Sequence, residues 1–295
     1  MKILYIGSVL FSKIILERLI KLNQELVGVI SKKESKFNSD FHDIVSIAKK
    51  KNIPTFYSND INDDKTISWI KDIKPEVIYC FGWSNLIKEE ILKIPTIGVV
   101  GFHPSLLPKN RGRHPLIWSK ILGLKQSGTS FFFMDKGVDS GPILSQKPFS
   151  ISFEETIQDL YEKMVSNALI QIEELNVELK NKTYKLKSQK NLLSTSWRKR
   201  SKIDGVIDFR MTSISICNLV RGLTKPYVGA SCYYLNEEVK VWEIDIGKNK
   251  SIAMEPGKII SVTEKNIEVK TGDGSVILTK HEFKKLPKEN QYLNL

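Results

Sequence analysis

Long hydrophobic runs are missing from this chain of 295 residues, 41% of which are hydrophobic. One of the longest, at 77–81, is far shorter than the roughly 20 apolar residues that a membrane-spanning helix requires. The first residues lead directly into an apolar strand pattern, without the successive charged, apolar and small-residue regions of a signal peptide. We therefore expect a cytoplasmic protein with no membrane partner.

Cysteine and histidine are also scarce, with three and four copies. The cysteines lie far apart and form no CxxC pair, which argues against a disulfide framework and against a structural zinc site. The histidines lack the spacing of metal ligands. The glycine-rich dinucleotide motif and the P-loop motif do not occur. We expect no bound metal, and the dinucleotide and P-loop interpretations lose support.

Arginine is scarce for so basic a protein, since it supplies only seven of the 45 basic residues behind a net charge of +12. A positive surface attracts phosphate-bearing substrates, including nucleotides and RNA. The chain has no arginine-rich block and no aromatic residues interleaved with basic ones, so its support for a nucleic-acid partner is weak.

The hydrophobic pattern changes along the chain. The first half alternates short apolar strands with amphipathic helices, which is typical of a parallel α/β sheet. After residue 204, short strands broken by Gly and Pro predict a small barrel. We therefore expect an α/β fold, with a Rossmann-like parallel-sheet catalytic domain at 1–189, a polar linker at 190–203 and an OB-like β-barrel domain at 204–295.

Three polar side chains stand where chemistry is expected. His103 follows an apolar strand at 97–102, and ligands of open α/β sheets bind at the carboxyl ends of strands. Asp139 lies between two glycines, and a carboxylate beside an imidazole can orient it for proton transfer. Arg113 could bind a phosphate or sugar hydroxyls. A loop histidine, a turn-forming aspartate and an exposed arginine remain the simpler alternatives.

The motifs that carry these residues resemble a known family. They are GFHPSLLP at 101–108, RGR at 111–113, DKGVDSG at 135–141, DGVIDF at 204–209, NLVR at 218–221 and PYVGA at 226–230. The chain resembles the N10-formyltetrahydrofolate-dependent formyltransferases. It looks most like the sugar-nucleotide enzymes of the UDP-4-amino-4-deoxyarabinose formyltransferase type, and it is similar also to methionyl-tRNA formyltransferase.

The resemblance implies a transferase that moves a formyl group from N10-formyltetrahydrofolate to the amine of a nucleotide-linked amino sugar, as in lipopolysaccharide or O-antigen biosynthesis. It implies His103 and Asp139 as catalytic residues, with His103 donating to the developing oxyanion and moving the amine proton, and Arg113 as a substrate-binding residue. The folate contacts it implies are Leu86, Ile87, Lys88, Asp135, Lys136, Gly137, Val138 and Asp139. Methionyl-tRNA is the alternative acceptor, and a homodimer is compatible with the pattern.

One departure from the family pattern concerns the oxyanion. The family has an asparagine two residues before the histidine, and here that position is Gly101. Losing one oxyanion donor costs about 3 kcal/mol of transition-state stabilisation. His114, Asn110, Ser130 or a water molecule could replace it. Otherwise the chain is a folate-binding or ligand-binding homologue with altered catalysis, because fold does not fix function.

Overall fold

The computed structural model describes residues 1–34 and 40–294, which form two compact units. Each unit draws on separate stretches of the chain. The first consists of Met1–Gly112, Gly128–Phe149 and Lys163–Trp197, and the second of Arg113–Ser127, Ser150–Glu162 and Arg198–Leu295. The described residues include no helix that is long and apolar enough to cross a membrane. Nor do they bring three or more His, Cys, Asp or Glu side chains into a group that could hold a metal ion.

Seven α-helices occur in the described residues. They are α1 (Leu10–Lys21), α2 (Val45–Lys49), α3 (Asp64–Ile73), α4 (Glu89–Leu92), α5 (Pro115–Ile121), α6 (Ile157–Asn181) and α7 (Ser213–Leu223). The strands are β1 (Ile3–Ile6), β2 (Leu26–Ser31), β3 (Thr55–Tyr57), β4 (Val77–Cys80), β5 (Gly98–His103), β6 (Arg111–Gly112), β7 (Gln126–Phe133), β8 (Ile143–Ser150), β9 (Ser196–Trp197), β10 (Ala230–Tyr234), β11 (Glu237–Ile246), β12 (Ile259–Val262), β13 (Ile267–Lys270) and β14 (Ser275–His281).

The main sheet of the first unit has the order β3-β2-β1-β4-β5-β7-β8. Its first five strands are parallel, and every residue of β1 and β4 is buried, as expected for parallel strands that are covered on both faces. Strand β7 runs antiparallel to β5, with His103 opposite Ser130. The predicted α/β fold with a parallel sheet is thus confirmed, with an antiparallel extension beyond β5.

An aromatic cluster packs around the strands that lead to His103. The Phe102 ring lies 4.2 Å from Phe11 and 5.0 Å from Phe131, measured between ring centroids. Phe81, directly after β4, contacts the same cluster and is fully buried. Burial of several large rings stabilises this part of the sheet and keeps the end of β5 in one place.

The second unit is built on a five-stranded antiparallel sheet with the order β10-β11-β14-β13-β12. Helix α7 begins after Thr212, whose side chain accepts a hydrogen bond from the Ser215 N–H and so caps the first turn. The predicted small OB-like β domain is therefore confirmed, in the form of a curled antiparallel sheet. Helix α5 packs closely on α7 at Gly222. A Cβ at this position would lie only 2.9 Å from the Ile121 side chain.

Candidate active site

His103 is the last residue of β5, and its side chain is almost completely buried, with 6% exposed. Its Nε2 lies 2.7 Å from the carbonyl oxygen of Asn110. Its Nδ1 lies 3.5 Å from Oδ2 of Asp139. Each ring nitrogen therefore faces an oxygen, and the two residues that we expected to be catalytic lie side by side.

The turn after His103 is held by hydrogen bonds on both sides. Ser105 N–H donates to the His103 carbonyl, and the Ser105 hydroxyl donates to the Lys109 carbonyl. Ser130 on β7 donates to the Ser105 carbonyl at 2.7 Å, and Gln146 on β8 donates to the Leu107 carbonyl at 2.9 Å. These bonds connect the turn to the sheet, so the backbone around the imidazole is fixed before any ligand binds.

Asp139 reaches His103 from a loop with unusual backbone geometry. Its φ of 52° lies in the left-handed region, which costs a non-glycine residue free energy and persists only when neighbours hold it. The Gly112 N–H donates to Asp139 Oδ2 at 2.9 Å. Gly141 is required close by, because a Cβ there would lie 1.8 Å from the Phe133 carbonyl oxygen. The loop is thus shaped to direct one carboxylate oxygen at the imidazole.

The partners of His103 determine which nitrogen carries its proton. A backbone carbonyl only accepts hydrogen bonds, so the Nε2–H donates to Asn110. In the neutral ring Nδ1 is then unprotonated, and it is the nitrogen beside the Asp139 carboxylate. A proton taken up at Nδ1 would create an imidazolium with an anionic neighbour. The pair can therefore accept a proton at Nδ1 and release it again.

An ion pair connects one of the two segments that we expected to bind folate to the residue that follows the other. Lys136 forms an ion pair with Glu89, at the start of α4, with 2.9 Å between Nζ and Oε2. The pKa of Glu89 is lowered to about 2 by its hydrogen bonds from Lys136 and Lys93. This ion pair joins the loop after β7 to the segment that follows β4.

The side chains in these two segments differ in what they can offer a ligand. Leu86 and Val138 are exposed, whereas Ile87 is buried in the core. The Asn62 side chain donates to the Leu86 carbonyl and accepts from the Lys88 N–H, which fixes the backbone between them. Asp135 accepts hydrogen bonds from the Gly137 N–H and the Ser140 hydroxyl, so the second segment is ordered in the same way.

The position of the missing family asparagine has no room for a side chain. A Cβ at Gly101 would lie 2.9 Å from the Phe132 ring and 3.0 Å from Met134 Cγ. Contacts this close force the neighbours to move. The space that an asparagine would need is therefore occupied by apolar side chains.

Two of the proposed replacement donors lie next to this site. The Ser130 hydroxyl donates its only proton to the Ser105 carbonyl, so it has none left for an oxyanion. The Asn110 side-chain oxygen accepts a hydrogen bond from Thr195, which leaves its amide nitrogen as the donor of that side chain. Asn110 is the stronger of these two candidates.

Arg113 and His114 belong to the second unit. Arg113 is exposed. His114 is the residue before α5, is partly buried and accepts a hydrogen bond at Nδ1 from the Arg200 N–H. Burial lowers the pKa of His114, and the positive charges of Arg113, Arg200 and Lys199 lower it further. His114 therefore lies in a basic cluster of the second unit.

Two sets of contacts with the pair, from Asn110 and Gln189, were not predicted. The carbonyl of Asn110 faces His103, and the side chain of Gln189 donates to the carbonyls of Asp139 and Gly141. Both come from polar stretches without periodicity, and no motif distinguishes a positioning amide from a solvated one. A backbone carbonyl has no sequence signal at all.

Comparison with known proteins places the chain in a family. The formyl transferase model matches residues 1–172, and the formyl transferase C-terminal domain model matches residues 199–294. The chain is 35% identical over 231 residues to the bifunctional polymyxin resistance protein ArnA of Wigglesworthia glossinidia brevipalpis, which covers 77% of this chain and 35% of that protein. It therefore spans about a third of the length of this relative.

Other relatives match nearly the whole chain. The chain is 29% identical over 287 residues to methionyl-tRNA formyltransferase of Alkaliphilus oremlandii, which covers 96% of this chain and 92% of that protein. Among solved structures, the sugar 3N-formyl transferase WlaRD, in the presence of dTDP and 5-N-formyl-THF, superposes with a TM-score of 0.70 and 21% identity. That match covers 97% of this chain and 99% of WlaRD, and it shows a shared fold.

The first family match alone covers more than half of the chain, and the resemblance seen in the motifs is confirmed. The chain belongs to the formyl transferase family.

Proposed function

We propose that this protein transfers a formyl group from N10-formyltetrahydrofolate to the amine of a nucleotide-linked amino sugar. The observation that carries the proposal is the His103–Asp139 pair at the end of β5, in a chain that belongs to the formyl transferases. An amine that attacks a formyl carbon must lose a proton, and the leaving nitrogen must gain one. A single imidazole with a nearby carboxylate can do both.

His103 Nδ1 takes the proton that the attacking amine loses while the new carbon–nitrogen bond forms. The Asp139 carboxylate stabilises the imidazolium that results. His103 then returns the proton to the folate nitrogen as the bond between that nitrogen and the formyl carbon breaks. Because the Nε2–H is already donated to Asn110, Nδ1, beside the Asp139 carboxylate, is the ring nitrogen left to exchange this proton.

The acceptor reaches this pair from the side of Asp139. The Asp139 side chain is 19% exposed and the His103 side chain only 6%. Folate would lie along 86–88 and 135–139, whose backbone is already ordered by Asn62 and Asp135. The pterin would contact mainly the backbone there, which fits a segment in which the Ile87 side chain is buried.

The choice of a sugar acceptor is supported by the relatives. WlaRD is a sugar 3N-formyl transferase, and its structure was determined in the presence of dTDP and 5-N-formyl-THF. Arg113, which we propose contacts the nucleotide-linked acceptor, has a planar fork suited to phosphate. Arg113→Ala should raise the KM for the acceptor more than the KM for the folate.

Methionyl-tRNA is the second candidate acceptor. The methionyl-tRNA formyltransferase of A. oremlandii matches the chain almost from end to end, and the net charge of +12 favours a polyanion. Binding of tRNA by several lysines would weaken steeply with salt, because counterions are released from each neutralised phosphate. Transfer to a nucleotide-linked sugar involves far fewer phosphates and should depend weakly on salt.

The two acceptors are distinguished by a transfer assay. The purified protein is incubated with N10-formyltetrahydrofolate and either methionyl-tRNA or a panel of dTDP-linked and UDP-linked amino sugars, and formylated products are measured by mass spectrometry. We expect one of the amino-sugar nucleotides to be formylated and methionyl-tRNA to remain unchanged. Formylation of methionyl-tRNA alone would contradict the sugar assignment. Binding of folate without transfer to any acceptor would favour a ligand-binding homologue.

A further inference from the structure

The chain segment 187–197 contacts both residues whose oxygens face the His103 ring, Asn110 and Asp139. It lies within the first unit and is attached to the sheet by mutual backbone hydrogen bonds between Lys187 and Ile143. At its other end, β9 pairs with β6 in a short parallel ladder. The segment is therefore fixed at two points, and the residues between these points lie against the loops that carry Asn110 and Asp139.

Gln189 holds the Asp139 loop. Its Nε2 donates to the carbonyl of Asp139 at 2.9 Å and to the carbonyl of Gly141 at 2.7 Å. Its Oε1 accepts two hydrogen bonds from the guanidinium of Arg111, at 2.7 and 3.2 Å. The nitrogen and the oxygen of the Gln189 side-chain amide therefore both form hydrogen bonds. They link Asp139, whose backbone is left-handed, to the buried Arg111.

Thr195 forms hydrogen bonds with Asn110, the residue whose carbonyl faces Nε2 of His103. Its hydroxyl oxygen accepts from the Asn110 N–H at 2.9 Å and donates to the Asn110 side-chain oxygen at 3.1 Å. The Thr195 carbonyl accepts from the Arg111 N–H. Asn110 also has a left-handed backbone, with φ of 63°, and its carbonyl is the acceptor for His103 Nε2.

We propose that Gln189 and Thr195 are positioning residues, which set the place of the two oxygens that orient His103. This inference rests on the proposed function, because it assigns these residues to the proton transfer at His103. Neither residue touches the ring. Gln189 acts through Asp139, and Thr195 acts through Asn110. Geometry at a catalytic pair must hold within a fraction of an ångström, so loss of either support lowers turnover.

The alternative is a purely structural role, in which the side-chain oxygen of Gln189 only accepts hydrogen bonds from Arg111. Gln189→Glu separates the two roles, since a carboxylate accepts from the guanidinium at least as well as an amide but cannot donate to the carbonyls of Asp139 and Gly141. Gln24→Glu is the matched control, because Gln24 also donates to a backbone carbonyl, that of Leu22, in the turn before β2.

The experiment combines turnover with a signal from the ring itself. The protein is labelled with ¹⁵N-histidine, and the His103 resonances are assigned by their loss in His103→Gln. For Gln189→Glu we expect altered His103 ring shifts, unchanged His42 and His281 shifts and a kcat at least about tenfold lower. Gln24→Glu should match the wild type in both measurements.

Wild-type kcat and wild-type His103 shifts in Gln189→Glu would overturn the proposal, as would a lower kcat without any change at His103. If the wild-type protein transfers no formyl group, the proposed function fails while the ring shifts still decide the positioning role.

Should Gln189→Glu not fold, Thr195→Val and Thr195→Ser replace it. Valine removes the hydroxyl and should shift the His103 signals, whereas serine keeps the hydroxyl and should restore them. Equal spectra for these two variants would count against the proposal.

Discussion

At the scale of single residues, Gly101→Asn tests the packing explanation for the missing donor. Because a Cβ at this position would lie 2.9 Å from the Phe132 ring, we expect the variant to lose about 1–3 kcal/mol of unfolding free energy. Urea denaturation measures the loss. In a Phe132→Leu background the same change should cost less, because the smaller side chain leaves space for it. Equal losses in both backgrounds would mean that Phe132 is not the obstacle.

Any rate change in Gly101→Asn must therefore be judged against its stability. A lower rate in a destabilised protein reports strain on β5 and not the effect of the added amide on catalysis. A higher rate in spite of lower stability would show that the site lacks an oxyanion donor.

The two reacting residues could be predicted from the sequence, but the residues that position them could not. His103 and Asp139 lie at a strand end and in a glycine-bracketed loop, which leave clear patterns, and the structure places them 3.5 Å apart. The carbonyl of Asn110 and the amide of Gln189 could not be predicted, because their roles depend on tertiary contacts across the chain. The lost donor at Gly101 was visible in the sequence, whereas the lack of space for an asparagine is visible only in the structure.

At the scale of elements, hydrophobic periodicity predicted most of the fold. The apolar run at 77–81 contains β4, and the first half of the chain alternates strands with helices as its pattern predicts. The polar stretch around 190–203 has no periodicity, yet it contains β9, which is stabilised by pairing with β6. A two-residue strand has too few side chains to produce a pattern, so such contacts are visible only in the structure.

Helix α5 contains a buried lysine that gives an element-level prediction. Lys120 donates from Nζ to the carbonyls of Ser152 and Phe153, at 3.1 and 2.7 Å. Burial, together with the charge of Arg221, lowers its pKa to about 8. Lys120→Met removes both hydrogen bonds and should cost about 1–3 kcal/mol of unfolding free energy at neutral pH, whereas exposed Lys125→Met should cost little.

The lowered pKa of Lys120 also predicts how the difference in unfolding free energy between the wild type and Lys120→Met changes with pH. The unfolded lysine binds a proton up to its ordinary pKa of about 10.4, while the folded lysine releases it near 8. Between these values the unfolded state binds more protons, so the wild type gains stability relative to Lys120→Met as the pH rises. Urea denaturation of both proteins at pH 7, 8, 9 and 10 measures the gap. A gap that narrows over this range would contradict the lowered pKa.

At the scale of the whole molecule, the change of hydrophobic pattern along the chain predicted two folded parts, and both family models match in the same order. The chain segments that make up each compact unit were not foreseen, because 113–127 and 150–162 lie within the range 1–189 that we expected to form one domain but belong to the second unit. Composition does not indicate which chain segments belong to which unit. Their membership follows from tertiary contacts such as those of α5 with α7.

The account rests on His103 and Asp139 acting together in formyl transfer, and a double-mutant cycle tests this most directly. The rate of transfer from N10-formyltetrahydrofolate to the best amino-sugar nucleotide is measured for His103→Ala, Asp139→Ala and the double variant. Folate binding to each is measured in parallel. We expect each single variant to lose about 100-fold or more in kcat, folate binding to persist, and the double variant to be no slower than His103→Ala. Near-wild-type transfer by His103→Ala would contradict the account.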